Sequence, residues 1–202
     1  MTILIHPDFQ GNNPSAVKTD ETFTASASSY FAPNQETACK AFSLPETSDT
    51  QGSDTNQWTT GTPSYENGVY SGTYSCCQTI VDGEPVSGEW LQLHCSRAHA
   101  PESFTLTANC WNPSRAPKSF VLAGSDGKTW TKLHSEENLA EWASKETRKF
   151  TISQKQAVKI FRLIVKSVHE PRESWLTIDK FKLYGNTNKR RREFNATESA
   201  PK

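Results

Sequence analysis

Between residues 21 and 185 the apolar positions come in short alternating runs, broken by Gly, Pro, Asn or Asp every ~8–12 residues. That rhythm predicts an antiparallel, all-β architecture. The stretch FTASASS opens it. In SGEWLQLHC, Leu91, Leu93 and Cys95 alternate with Trp90, Gln92 and His94, and in ESFTLTA the residues Phe104, Leu106 and Ala108 share a face. KIFRLIVKS sets Phe161, Leu163 and Val165 against Arg162 and Lys166, but Ile160 and Ile164 make the second face apolar too. Such a strand is expected in the middle of a sheet, covered on both sides. SWLTIDKFKLYG changes parity: Leu176 and Ile178 are even-numbered, Phe181 and Leu183 odd. A bulge or bend near Asp179-Lys180 lets both pairs reach the core.

Two other patterns predict local structure. Leu139, Trp142, Ala143 and Glu146 fit helical spacing, so one short helix is expected over 138–147. In APKSFVLAGSDGKTWTKL, Phe120 and Leu122 lead into Asp126-Gly127, and Trp130 and Leu133 follow. Asp-Gly accepts positive φ at both central positions of a tight hairpin turn, which makes Asp126 a corner rather than a reactive acid. The stretch 43–65 reads as a polar loop with Trp58 as its large anchor. Residues 1–20 read as an extension with one short strand at 3–5, residues 21–185 as the sandwich, and 186–202 as a flexible basic tail.

Composition narrows the function classes. Ten Phe, six Trp and five Tyr in a chain that is 34% hydrophobic imply a core of large rings, as in sandwiches and barrels. Lys+Arg and Asp+Glu balance at 22 each, so no global field draws nucleic acid, which is not expected as a partner. No apolar run approaches the roughly 20 residues of a membrane span. The start, MTILIHPDF, lacks the charged region of a secretory signal, and the five cysteines are an odd set. Reduced thiols and an intracellular product are the expectation.

Taken in order, these segments resemble the discoidin family, the coagulation-factor 5/8 type C domain, over about residues 23–185. TASASS resembles its first strand, ACKAFSL with NQWTT its Ala-x-x-Ala-Phe…Trp segment, and GEWLQLHC its Trp-hydrophobic-Gln strand. AGSDGKTW resembles its Ser-x-Asp-Gly-x-x-Trp hairpin; IFRLIVKS and SWLTIDKFKLYG resemble its closing strands. The resemblance implies a jelly-roll β-sandwich of the galactose-binding-like type, non-catalytic, with ligands held by loops at one end. YSGTYS, RAPKSFVLAGS and EWASKETRKF resemble copies from large eukaryotic DNA viruses, where such domains occur among minor capsid or virion components. The terminal disulfide usual in animal members has no counterpart, since no cysteines flank Phe23 and Gly185.

Several candidate chemistries follow. Ser, His and Asp occur throughout, but no nucleophile-elbow motif does, so no enzyme activity is expected. His94, Cys95 and His99 are zinc-compatible donors, yet neighbours on a strand point to opposite faces, and Cys95 is better read as a core filler at the family's leucine position. Asp49 and Asp54 offer oxygens without a tight calcium spacing. No metal or cofactor is expected. Only one of Cys76 and Cys77 can face the core if they lie on a strand. The stronger candidates are loop residues: Tyr30 and Phe31, Trp111 and Arg115, and His169 and Arg172, rings and cations able to grip a sugar or an anionic headgroup. The tail concentrates Lys189, Arg190, Arg191 and Arg192, a cluster suited to an acidic partner surface. The expected role is a structural or assembly protein contacting other subunits, such as capsid proteins, in a virion or host cytoplasm. The alternative is a lectin-like module with a glycan or lipid headgroup as ligand.

Overall fold

The alternating runs become strands at the predicted places, seen in a computed structural model that describes residues 2–5, 7, 9, 13–18, 20–31, 37–43, 57–172 and 174–185. The chain opens with β1 (Thr2–Ile5), β2 (Ser15–Lys18), β3 (Glu21–Ala27) and the helix α1 (Ala38–Phe42). Short strands β4 (Trp58–Thr59), β5 (Tyr65–Glu66), β6 (Val69–Tyr70), β7 (Gln78–Val81) and β8 (Glu84–Ser87) precede the long β9 (Glu89–His99). Then come β10 (Ser103–Thr107), β11 (Pro117–Ser125), β12 (Trp130–Glu136), β13 (Thr147–Thr151), β14 (Val158–Val168), β15 (Thr177–Ile178) and β16 (Lys180–Gly185). One sheet has the order β1-β16-β10-β13. The larger runs β2-β3-β9-β14-β11-β12-β7-β8, and β15 pairs with β4 as a ribbon. None of the described helices is long and apolar enough to cross a membrane.

The core is aromatic. Phe104 on β10 meets Phe120 on β11 edge-on at 6.0 Å, stacks on Phe150 at 5.0 Å and meets Phe181 at 5.9 Å. The Phe104–Phe120 contact joins the two layers and the other two lie within the smaller sheet, each worth ~0.5–1.5 kcal/mol beyond burial. β14 is central, between β9 and β11. Phe161, Leu163 and Val165 enter the main core, while Ile164 joins Val81, Val121 and Ala123 in a second cluster against Val86, Trp90 and Trp130. The β7–β8 hairpin supplies part of that outer cover. The parity change is a strand switching partners: β15 pairs with β4, β16 with β10, and the Asp179 N–H donates to the Thr107 carbonyl at 3.0 Å. Leu176, Ile178, Phe181 and Leu183 are consequently all buried. At the start of the chain β1 pairs with β16 and β2 with β3, and Ile5, Phe9 and Ala16 join the core.

Three local expectations are corrected. Residues 138–147 form no helix; the short helix is α1 instead. Asn138 and Lys145 take positive φ (53° and 57°), which interrupts a helical path. Arg148 takes the carbonyls of Ala140 and Glu141 at 2.7 and 2.6 Å, and the Glu146 carboxylate takes the Ala143 N–H at 2.8 Å. Trp142 is buried, its indole N–H donating to the Pro117 carbonyl at 2.8 Å. Groups a helix would pair internally are thus satisfied by side chains, and so short a helix has little stability of its own. Second, the hairpin at Asp126-Gly127 spans four residues, since Ser125 pairs with Trp130, and only Gly127 of the pair has positive φ (105°). The two-residue turns with both central φ positive are Asn67-Gly68 and Asp82-Gly83. Asp126 still serves as a corner: its Oδ1 accepts the Lys128 N–H at 3.1 Å, and that bond holds the carboxyl below its usual range. Third, Cys76 and Cys77 lie on a 3-10 turn rather than a strand; Cys77 is buried and Cys76 exposed.

Candidate functional site

Antiparallel pairing brings the ends of β3, β10 and β14 together with the starts of β9, β11 and β16. The loops at this end enclose a cleft of ≈ 330 Å³ lined by Phe31, Gln57, Thr59, Asn109, Asn112, Arg115, Trp175 and Thr177. Backbone bonds fix its walls. The Phe31 N–H donates to the Thr59 carbonyl at 2.9 Å, and the Thr60 N–H to the Leu176 carbonyl at 3.1 Å. Ser114 anchors another side, its carbonyl accepting the N–H groups of His169 and Glu170 at 2.9 Å. Pro113 opens the 3-10 turn that presents Arg115. Its ring presets φ for the first turn position.

Below the loops, Glu89 is 0% exposed and organises them. Its carboxylate accepts hydrogen bonds from the hydroxyls of Ser28, Ser29 (3.1 Å) and Ser64 (2.6 Å). The Ser28 hydroxyl oxygen in turn accepts the Trp90 N–H at 2.8 Å, and that of Ser29 accepts the Gly61 N–H at 2.9 Å. One acid therefore ties the segment carrying Phe31 to the segment leading from β4. Next to it, burial pushes the Cys77 thiol up to about 12, with Glu89 and Cys76 adding to the rise. Cys77 is no nucleophile at neutral pH.

Inside the cleft, Asn109 is buried, its Oδ1 accepting the N–H groups of Trp111 and Asn112 at 2.8 and 3.0 Å while its amide donates to Gln57. The Thr59 and Thr177 hydroxyls meet at 3.2 Å. The Arg115 guanidinium lies over the Trp175 ring, 5.0 Å from its centroid, and Phe31 meets the same ring edge-on at 6.0 Å. Buried donors remain open at this spot: neither Arg115 Nε nor Trp175 Nε1 has a hydrogen-bond partner among the described residues. Buried polar groups are otherwise nearly always paired, so these two donors call for an acceptor-rich ligand.

Of the residues anticipated from sequence, Phe31 and Arg115 line the cleft. Trp111 sits on the loop between the lining residues Asn109 and Asn112, and 67% of it is exposed. Tyr30 and Arg172 are exposed at the same end without lining the cleft. His169 is half-buried, its backbone held by the Ser114 carbonyl; burial, then the nearby Lys118, lowers its pKa, and its Nε2 has no partner among the described residues. Lys189, Arg190, Arg191 and Arg192, and Asp49 and Asp54, lie outside the described residues. Sequence reasoning missed Trp175, Gln57, Asn109 and Thr177. A signal for Trp175 was present: with Leu176 and Ile178 inward, its ring must point away from the core.

No protein-family model matches the chain, and no curated protein matches it in sequence. Solved structures do match it in shape. An F5/8 type C domain from Bacteroides fragilis aligns over 88% of this chain and 99% of its own, with a TM-score of 0.53 at 14% identity. A family 32 carbohydrate-binding module of NanJ from Clostridium perfringens, in complex with galactose, aligns over 81% and 93%, with 0.51 at 12%. A second family 32 module from the same organism, in complex with GalNAc-β-1,3-galactose, aligns over 82% and 95%, with 0.51 at 11%. With mostly strands and one short helix among the described residues, the chain has the galactose-binding-like, discoidin-type β-sandwich fold.

Proposed function

We propose that this chain is a lectin-like module that holds a sugar residue in the Arg115–Trp175 cleft. The observation that carries the reading is the pair of buried donors without acceptors, flanked by the Phe31 and Trp175 rings. A pyranose offers an apolar face for a ring and hydroxyls for donors, the combination this cleft meets. Arg115 is the one charged residue among the described lining residues, so the site suits a neutral or carboxylate-bearing sugar over an amino sugar carrying positive charge. Among the described residues the lining holds no carboxylate, imidazole or thiol, which supports binding rather than hydrolysis. Two structural neighbours were solved with galactose-containing ligands, and a lectin fold match from striped bass, Morone saxatilis, points the same way.

The building-block role rests on the terminal segments, and the basic run 189–192 lies outside the described residues. The neighbours reported above are carbohydrate-binding modules, a lectin and a type C domain, so the lectin-like reading has the broader support. A glycan array followed by calorimetry on the leading hits tests it. Arg115→Ala is expected to weaken binding roughly 10–100-fold, the equivalent of one charge-assisted hydrogen bond. Trp175→Ala is expected to abolish detectable binding with the fold retained by circular dichroism. An array without hits for folded wild-type protein, or hits unaffected by both variants, refutes the assignment.

A further inference from the structure

A second cluster lies at the opposite end of the sandwich, where β3 begins and β9 finishes. The pairing of β9 with β14 runs from His94 opposite Ile160 to His99 opposite Val158, five steps on one strand against two on the other. His99, four residues beyond Cys95, is buried as Cys95 is, and His94 is exposed. On the neighbouring strand Phe23 pairs with Cys95, and Glu21 stands two residues before it. The three ligand atoms, a carboxylate oxygen of Glu21, the sulfur of Cys95 and a ring nitrogen of His99, all lie within 4.8 Å of one another. All three residues are buried, and His99 Nε2 meets Glu21 Oε1 at 2.5 Å.

We propose that Glu21, Cys95 and His99 form a buried binding site for a divalent cation of the zinc class. The donor set decides the class: one sulfur, one nitrogen and one oxygen suit a borderline-soft tetrahedral ion, whereas calcium and magnesium require oxygen shells. Around zinc, bonds of ~2.0–2.3 Å put donor atoms ~3.3–3.7 Å apart. The His99–Glu21 contact must open by about 1 Å to reach that spacing, and the sulfur must close in by a similar amount at most. Rotation about side-chain torsions covers such movements without shifting β3 or β9. A water completes the fourth position. The ion then staples β3 to β9 at the end remote from the sugar cleft, on donors separated by 74 residues between Glu21 and Cys95. The pairing of His99 with Cys95 bypasses His94, the neighbour that made the sequence pattern look unfavourable.

The test uses the full chain carrying Cys76→Ser, which removes the exposed vicinal thiol. The chelator-stripped protein is titrated with Co²⁺ and then with Zn²⁺. One equivalent of cobalt is expected to give a thiolate-to-cobalt charge-transfer band and tetrahedral d–d absorption, both displaced by zinc, with a zinc-dependent rise in Tm. Cys95→Ala and His99→Gln are expected to lose the band and the rise; His94→Ala is expected to keep both. Absence of the band in the folded Cys76→Ser protein, or its survival in Cys95→Ala, overturns the site. If Cys95→Ala does not fold, zinc retained after dialysis decides: one ion per chain in the Cys76→Ser protein supports the site, and none overturns it.

Discussion

Replacing Glu89 by Ala removes the acceptor shared by three serine hydroxyls in a fully buried position. A hydrogen bond to a charged group contributes ~1.5–3 kcal/mol, and a buried donor left open costs about 1–3 kcal/mol. The loss is not threefold, because two of the donors have a second carbonyl within reach. Ser64 can turn fully to Thr62 at 3.0 Å and Ser28 to Trp90 at 3.2 Å. Ser29 has no such second acceptor among the described residues, and its oxygen already accepts the Gly61 N–H. One donor bond lost outright, two weakened and a cavity opened give about 3–5 kcal/mol of destabilisation, a large part of the ~5–15 kcal/mol that holds a domain together. Glu89→Gln keeps the volume and one carbonyl acceptor and is expected to cost about 1–2 kcal/mol. Urea unfolding with a common m-value measures both. A loss under about 1 kcal/mol for Glu89→Ala refutes the idea that this acid organises the loops. The same variant is expected to weaken sugar binding at the distant Phe31 wall, although Glu89 does not line the cleft.

The remaining predictions concern turns and charge. A Cβ at Gly68 would stand 2.6 Å from the Val168 carbonyl oxygen, whereas one at Gly127 meets nothing within 4 Å; both positions have positive φ. Gly68→Ala is therefore expected to lower Tm more than Gly127→Ala, and equal shifts in thermal unfolding refute the difference. Arg148→Ala removes the side chain that holds the Ala140 and Glu141 carbonyls and covers Trp142 at 4.2 Å, so hydrogen exchange in 138–146 is expected to quicken while β14 stays protected. His169 titrates below its usual value, so the unfolded chain binds the extra proton first. Its contribution to stability is complete above the unfolded pKa of ~6.5 and is lost as pH falls towards the depressed folded value. Unfolding free energies measured between about pH 7.5 and about pH 5.5 are expected to fall less steeply in His169→Gln than in wild type.

How much of this was legible in sequence depended on whether the signal was local. Period-two alternation placed β9, β10 and β14, because a strand buries every second residue whatever its partners. The double apolar face of β14 placed it centrally for the same reason. The helix expected at 138–147 failed because spacing cannot show that Arg148 and Glu146 will take the carbonyls and amide hydrogen of that loop. Asp-Gly marked a reversal at two places but not its length: the pair at 82–83 makes a two-residue turn, the pair at 126–127 a four-residue one. The site was harder. Phe31 and Arg115 stood out as loop rings and cations, whereas Gln57, Asn109 and Thr177 are ordinary polar residues until the fold sets them against one space. Glu21 joined Cys95 and His99 only through pairing of β3 with β9.

Among the described residues three arginines lie on tryptophan rings, and Arg115 differs from the other two. Arg162 lies between Trp90 and Trp130, 4.1 and 4.4 Å from their centroids, and spends its nitrogens on Gln92 and Thr79. Burial lowers its pKa to about 10, yet it stays a cation at neutral pH and serves as packing under the β7–β8 hairpin. Arg148 covers Trp142 and bonds Glu146 and two carbonyls. Both are closed: ring and donors are matched within the chain, and Arg148 is also ion-paired with Glu146. Arg115 shares a ring but, among the described residues, leaves Nε open beside an equally open Trp175 Nε1, in a cleft whose described lining has no carboxylate. A buried guanidinium nitrogen in that condition costs stability unless something outside the chain supplies the acceptor. The same side-chain pairing is thus structural twice and ligand-seeking once, and what separates the cases is the count of satisfied donors rather than the residue types.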